Sequence, residues 1–488
     1  MTPDDFDENV AYARQHFEEG LIRARFKEVE AGWEGPVPRA TGTTRVLINL
    51  PPRFPFVPPR VEPVDYDAVP WSWHREPDGG LCLVAEDDHE GLWWAEAPAF
   101  LAHVTAWFDQ ADNGWRGDRP DLDLDRYFQQ SADHRLYLYG DLRPYLGHFV
   151  RFSPSNNNTM RIGPGTSPKK PRTRNKHRFG YVADLGELDA PPRTWADISA
   201  RLASSADLDR KIRRHSITAV VLLYRRGTHE GVILLDVAPT KEAGTAVTRL
   251  RSAADTEIAR TIRAGVLAPE LRESKVAIVG TGALGSFIAD TLARSGVRHL
   301  TLIDGDVVMP GNLVRHLVGP EAVGLLKAEA VKQHLVKHNR TLANNITTIN
   351  HALTSAADVF DHLQSHDLVV NATADFATTA LLHLSAQTLG IHILSAALQN
   401  DGRTYRIDVL PPLGNAAPLP PSATSTDTET PPLLEAGCGS PISPTPPHAV
   451  IEAAAATVRH ALGLLVNRPL HPAGETHNLH LPPEKSHQ

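Results

Sequence analysis

Few runs leave a chain as little freedom as KVAIVGTGALGSFIADTLARSG, residues 275–296. An apolar strand meets Gly280, Gly282 and Gly285 and passes directly into a helix. Glycines at these spacings let the backbone turn tightly and approach a phosphate, which the amides at the helix N-terminus then hold. The pattern continues through HLTLID, GLLKAEAVKQHLVKH, ITTINHAL, DLVVNAT, TTALLHLSAQTL, IHILSAAL and YRIDVLPP. Apolar strands separated by helices predict a mainly parallel, Rossmann-like α/β sheet with both faces covered.

A chain of 488 residues exceeds what one hydrophobic core serves, so several domains are expected. Phe6, Val10, Ala13, Phe17, Leu21 and Ala24 fall at helical spacing, followed by strand-like TRVLINL and proline-dense PPRFPFVPPRVEP. Past Trp93 and Trp94 a helical stretch runs through AFLAHVTAWFDQA, and a first α+β domain is expected over residues 1–150. Residues 153–178, rich in Ser, Asn, Gly and Pro, read as a linker. With a small α+β unit whose hairpin turns at Gly227 to Gly231, they make a middle segment, 151–265. Residues 266–488 complete the chain; Pro-rich residues 413–447 interrupt the α/β pattern, and the tail after the helix AVIEAAAATVRHALGLLV is expected to be disordered.

Composition removes several function classes. A net charge of −8 gives no general attraction to nucleic acid or anionic membrane, so neither partner is expected. No apolar run approaches the roughly 18–20 residues that span a bilayer. The acidic start MTPDDFDENV lacks the features of a signal peptide, and a cytoplasmic location is expected. Two cysteines, Cys82 and Cys438, provide neither a disulfide scaffold nor a four-cysteine zinc site. The 24 histidines form no ligand-spaced cluster.

The glycine turn alone suits a nicotinamide-dependent dehydrogenase as well as any other nucleotide enzyme. Asp304, at the end of the next strand, is placed to accept ribose hydroxyls. Beyond it come Asp306, Asn312 and Arg315 on one loop, Lys327 on the next helix, and Asp375 after the fourth strand. A dehydrogenase has no use for such cations beside its cofactor. An enzyme cleaving ATP between the α and β phosphates does: Arg315 and Lys327 balance charge growing on pyrophosphate, and Asp375 suits a magnesium ion. This ordered set resembles the superfamily of ThiF, MoeB and the ubiquitin-activating enzymes. The resemblance, from about Ser274 to Val409, implies Asp304 on the ribose, Asn312, Arg315 and Lys327 on the phosphates, and Asp375 on Mg2+. It also implies ATP-dependent adenylation of a protein's C-terminal carboxylate and a homodimer formed through the adenylation domain. His316 stands where that family has Gln, and Phe376 and Ala380 replace its Asn and Arg.

LPPRFPFVPPRV, followed by WHREPDGGLCL, Trp94 and Pro98, resembles the ubiquitin-conjugating enzymes. The resemblance implies that Cys82 carries a thioester. The family's His-Pro-Asn is missing, which leaves His74 as the substitute hydrogen-bond donor for the oxyanion. Glu86, Asp87, Asp88 and Glu90 follow and are expected to disfavour the thiolate. Cys438, between glycines in EAGCGSP, is placed like an activating enzyme's catalytic cysteine, outside the nucleotide-binding sheet. The order of the two regions resembles the activating–conjugating fusions of CBASS antiphage operons. That resemblance implies a relay from Cys438 to Cys82, ligation to an amine on a protein or small molecule, and as donor the C-terminal tail of a CD-NTase or a ubiquitin-like protein. The alternatives are an adenylyltransferase for a sulfur-carrier protein and a non-catalytic scaffold that binds a ubiquitin-like partner.

Overall fold

The computed structural model describes residues 3–84, 91–116, 123–165, 178–242, 244–422, 433–434, 441–442 and 444–479. They form two compact units, Met1–Thr256 and Glu257–Gln488.

The first unit opens with helix α1 (Pro3–Arg23), an antiparallel meander of β1 (Lys27–Val29), β2 (Gly32–Arg39), β3 (Gly42–Asn49) and β4 (Arg60–Pro63), and helix α2 (Ala97–Asp112). Alternation along β3 sends Val46 and Ile48 inward against Phe17, Phe54, Phe100 and Phe108. Phe17 meets Phe54 and Phe100 edge to face, at centroid distances of 5.0 and 5.7 Å, an arrangement that adds to the burial term.

An eight-stranded sheet follows, made of β5 (Leu136–Tyr139), β6 (Phe149–Pro154), β7 (Thr159–Pro164), β8 (Arg178–Glu187), β9 (Ala219–Arg226), β10 (His229–Pro239), β11 (Thr245–Arg249) and β12 (Ser252–Ala254). Helices α3 (Trp195–Ser199) and α4 (Ser205–Arg213) cover one face, burying Trp195, Ile198, Leu208 and Ile212 against β9 and β10. Strands β6 and β7 pair where a linker was expected. Asn-rich composition there is turn chemistry: Asn158 donates its amide to Asn156 Oδ1 at 2.8 Å, and Ser155 to the Thr159 carbonyl at 2.9 Å, between strands that bury Phe152 and Met160.

The second unit begins with α5 (Glu257–Thr261) and α6 (Ala268–Leu271) and is built on a seven-stranded sheet. In chain order its elements are β13 (Lys275–Val279), α7 (Ala283–Arg294), β14 (His299–Ile303), α8 (Lys327–His338), β15 (Ile346–Ile349), α9 (Ala356–Leu363), β16 (Leu368–Asn371), α10 (Phe376–Leu389), β17 (His392–Gln399) and β18 (Thr404–Leu410). A two-residue pair, β19 (Leu433–Leu434) with β20 (Pro441–Ile442), precedes α11 (Pro447–Leu465) and β21 (Gly474–Asn478). The sheet order is β15-β14-β13-β16-β17-β18-β21, parallel from β15 to β17 and antiparallel beyond. Val276 and Ile278 of β13 enter one core with α7, α8 and α11, while Ala277 and Val279 enter another with α9 and α10. The sheet is thus buried on both faces, as its apolar strands require. Between β14 and β16 the chain crosses β13, which makes the carboxyl ends of these strands the switch point where such sheets bind ligands.

The C-terminal segment is not a disordered tail over its described part. β21 pairs with β18, and Tyr405 donates its hydroxyl to Glu475 Oε1 at 3.0 Å. Among the described residues no helix is long and apolar enough to cross a membrane, and no group of three His, Cys, Asp or Glu residues is placed to hold a metal ion.

Candidate functional site

A cavity of about 350 Å³ opens at the switch point, lined by Gly280, Gly282, Asp304, Asp306, Lys327, Thr373, Asp375 and Thr378 together with apolar neighbours. Each glycine of the turn has its own reason to be there. Gly280 holds φ +88, and a Cβ on it would lie 2.9 Å from the backbone of Ala372 and Thr373. A Cβ on Gly285 would lie 1.8 Å from the Gly280 carbonyl oxygen, so only glycine lets α7 rest on the turn. At Gly282 a Cβ would meet nothing within 4 Å. That open position borders the cavity at the first turn of α7, where free amides attract an anion.

Asp304 Oδ2 accepts the Thr281 amide at 2.7 Å, and Oδ1 accepts the Asp306 amide at 2.9 Å. These bonds orient a carboxylate at the cavity wall. Lys327, the first residue of α8, pairs with Asp306 at 2.9 Å and is mostly buried, so its charge is held at the rim by a carboxylate that is itself exposed. Asp375 caps α10, accepting the Thr378 amide at 2.7 Å, and that bond holds its carboxyl below the usual carboxylate range. Before it, Ala374 sits at φ +55, a left-handed conformation that an L side chain adopts at a cost. Buried Asn371 supports the turn: its Oδ1 accepts the Thr373 amide at 3.2 Å, and its amide donates to Thr379 Oγ1 and Ser395 Oγ.

Gly280, Gly282, Asp304, Lys327 and Asp375 therefore share one cavity, and Gly285 lies beneath it. Asn312 and Arg315 are not among its lining residues. Asn312 instead caps its own short turn, its Oδ1 accepting the Met309 amide at 3.0 Å. His316, marked in the sequence only as a departure, ties that loop to the glycine turn. Its Nδ1 accepts the Val318 amide at 3.3 Å, which leaves Nε2–H to donate to the Thr281 carbonyl at 2.9 Å. Burial holds its pKa below the ordinary histidine value, so the neutral ring fits both bonds.

In the first unit Cys82 follows a tight turn in which Glu76 donates its amide to the Gly80 carbonyl at 2.7 Å. Gly79 holds φ +96 there. Fully buried Arg75 organises the turn from below: its Nε and Nη2 reach the Gly79 carbonyl at 3.0 and 2.6 Å, and its Nη1 the Val69 carbonyl at 3.0 Å. Cys82 donates its amide to the His74 carbonyl at 3.0 Å. The His74 ring stacks on Trp115 with centroids 3.5 Å apart. Arg126 reaches the sulfur, its Nη2 3.9 Å from Sγ and 2.6 Å from Glu76 Oε2. Burial, and after it Glu76, push the Cys82 thiol up, while Arg126 pulls it down. Glu86, Asp87, Asp88 and Glu90, expected to supply that effect, lie outside the described residues, as does Cys438.

The deciding likeness lies in the second unit. Residues 258–482 match the ThiF family. The ThiF region thus contains every cavity residue named above. Adenylyltransferase and sulfurtransferase UBA4 of Yarrowia lipolytica is 30% identical over 162 residues, 33% of this chain and 40% of that protein. ATP-dependent ubiquitin transferase-like protein Cap2 of Enterobacter hormaechei is 35% identical over 113 residues, 23% of this chain and 18% of that protein. The chain spans less than half the length of either relative. The solved structure of E. coli MccB with ATP aligns at 19% identity and a TM-score of 0.33, covering 45% of this chain and 68% of that one.

Proposed function

We propose that the cavity of the ThiF region binds ATP and adenylates the C-terminal carboxylate of a partner protein. The observation that carries this reading is the convergence of Gly282, Asp304, Lys327 and Asp375 on one cavity at the sheet's switch point. The open face at Gly282 and the α7 amides suit the phosphates, and Asp304 suits the ribose. A carboxylate oxygen of the partner attacks the α phosphorus, and the bond to the bridging oxygen of pyrophosphate breaks. Lys327, at the cavity wall, balances the charge on that leaving group. Exposed Asp375 would hold a magnesium ion, which would supply positive charge against the phosphates.

In the fuller reading, residues 1–150 are a ubiquitin-conjugating-like domain, 151–265 a spacer, and 266–488 the adenylation domain. The acyl group passes from the adenylate to Cys438, then to Cys82, and then to an amine of a protein or small molecule. A CD-NTase tail, as in CBASS defence, or a ubiquitin-like protein is the donor, and the protein acts as a cytoplasmic homodimer. Each thioester exchange is close to isoenergetic, so ATP cleavage supplies the drive. The name of the Yarrowia relative favours a second reading, adenylation of a sulfur-carrier protein, in which Cys82 plays no part.

Non-reducing gels after incubation with ATP, Mg2+ and a CD-NTase test the relay. Reductant-sensitive adducts that persist in Cys82→Ala and vanish in Cys438→Ala support it. Ligation that survives Cys82→Ala sinks the relay and leaves the sulfur-carrier reading.

A further inference from the structure

The Cys82 loop contains a cation that is remote from it in the chain. Arg126 sits on a single turn, Leu124–Tyr127, whose Leu124 and Tyr127 are buried. The Tyr127 hydroxyl lies 3.1 Å from the carbonyl oxygens of both Trp73 and Arg75. Those residues flank His74, whose carbonyl holds the Cys82 amide. Arginine and sulfur are thus referenced to the same three residues of backbone. Glu76 completes the arrangement by holding the guanidinium at 2.6 Å, with both side chains only partly exposed.

We propose that Arg126 is the catalytic cation of Cys82, stabilising the thiolate and then the oxyanion that forms as the sulfur accepts an acyl group, with Glu76 holding the guanidinium in place. This rests on the reading of Cys82 as an acyl carrier. The Sγ proton leaves to solvent, and Sγ attacks the carbonyl carbon of the donor thioester. The C=O π pair moves onto oxygen; as it returns, the donor C–S bond breaks and the donor departs as thiolate. The oxyanion is two bonds from Sγ, within the shell of a guanidinium 3.9 Å from that sulfur. His74, by contrast, offers its carbonyl to the Cys82 amide and its ring to Trp115. Burial, and after it Glu76, oppose Arg126 at the sulfur, so the resting thiol stays protonated. Both charges act on Cys82, in opposite directions.

The test is alkylation of Cys82 by iodoacetamide in the full chain, without ATP or partner, followed by peptide mass spectrometry so that Cys438 is scored separately. Arg126→Met is expected to raise the midpoint of the pH–rate profile and to slow alkylation near neutral pH about tenfold for each unit of that rise. Glu76→Gln is expected to do the opposite, a sign that misfolding does not produce, and Arg126→Lys to restore most of the parent midpoint. Acyl transfer from a peptide thioester of mercaptoethanesulfonate to Cys82 is expected to fall in Arg126→Met by more than the loss of thiolate accounts for. Unchanged midpoints and transfer rates in Arg126→Met overturn the proposal even where Cys82→Ala abolishes ligation. Ligation that survives Cys82→Ala overturns instead the reading on which it rests, whatever Arg126 does to alkylation.

Discussion

Replacing Gly285 and Gly282 by alanine separates the packing role of the nucleotide turn from its binding role. At Gly285 the added carbon would stand 1.8 Å from the Gly280 carbonyl oxygen and 2.9 Å from its carbon. A relaxed carbon–oxygen contact is about 3.3 Å or more. The start of α7 must therefore shift by more than an ångström against a core already filled by Ile288, Ala289 and Leu292. Overpacking of this kind costs about 1–3 kcal/mol, and the upper end applies because the obstruction is backbone. At about 2–4 °C per kcal/mol for a unit of this size, the melting transition of the second unit should fall by roughly 6–12 °C. At Gly282 the added carbon meets nothing within 4 Å, and φ is −70, outside the left-handed region. Gly282→Ala should melt with the parent yet bind ATP at least tenfold more weakly, because its methyl group occupies the approach to the α7 amides. Scanning calorimetry and isothermal titration with ATP measure the two effects. A Gly285→Ala protein melting within about 2 °C of the parent would refute the packing argument, and unaltered ATP binding by Gly282→Ala would refute the phosphate cradle.

His316→Gln should reduce the acid sensitivity of the second unit. Burial lowers the folded pKa of His316, so its contribution is complete above the unfolded value near 6.5 and is lost as pH falls through the folded one. Each unit of lowering is worth about 1.4 kcal/mol, and Gln keeps a donor for Thr281 and an acceptor for Val318. His334, His366 and His460, lowered in the same direction, retain their share of the slope; stability–pH curves that run parallel in parent and variant contradict the assignment. Asp375→Asn should leave melting unchanged, because Asn caps a helix as well as Asp does, while Mg2+-dependent pyrophosphate exchange drops about a hundredfold; retained exchange removes Asp375 from the metal's neighbourhood. Arg75→Met should destabilise the first unit by about 3 kcal/mol in urea titrations, since it strands the Gly79 and Val69 carbonyls of the cysteine turn, and a loss under about 1 kcal/mol counts against that role.

Much of the ThiF region is legible in the sequence because its evidence is local. Strand, glycine turn and helix occupy one continuous run, and the central strands β13, β14 and β16 are buried almost throughout. The less legible features depend on partners distant in the chain. Arg126 lies 44 residues from Cys82 and His316 lies 35 from Thr281, and neither spacing carries a motif. Asn312 shows the reverse: its spacing suggests a phosphate contact, whereas its side chain closes its own turn. Composition misleads over 153–164 and 474–478. In the first, turn-forming Asn residues dilute two short strands; in the second, a single edge strand is secured by Glu475 against Tyr405, Arg459 and β18 rather than by apolar residues of its own.

ATP–pyrophosphate exchange bears most directly on the claim that this cavity activates a carboxylate. The donors are the C-terminal tails of a CD-NTase and of a sulfur-carrier protein, each with a free and an amidated C-terminus. We expect exchange with at least one free tail, none with its amidated form, and its loss in Lys327→Met. Equal exchange with an amidated tail, or tight nicotinamide binding with no exchange from any tail, would contradict adenylation at this site.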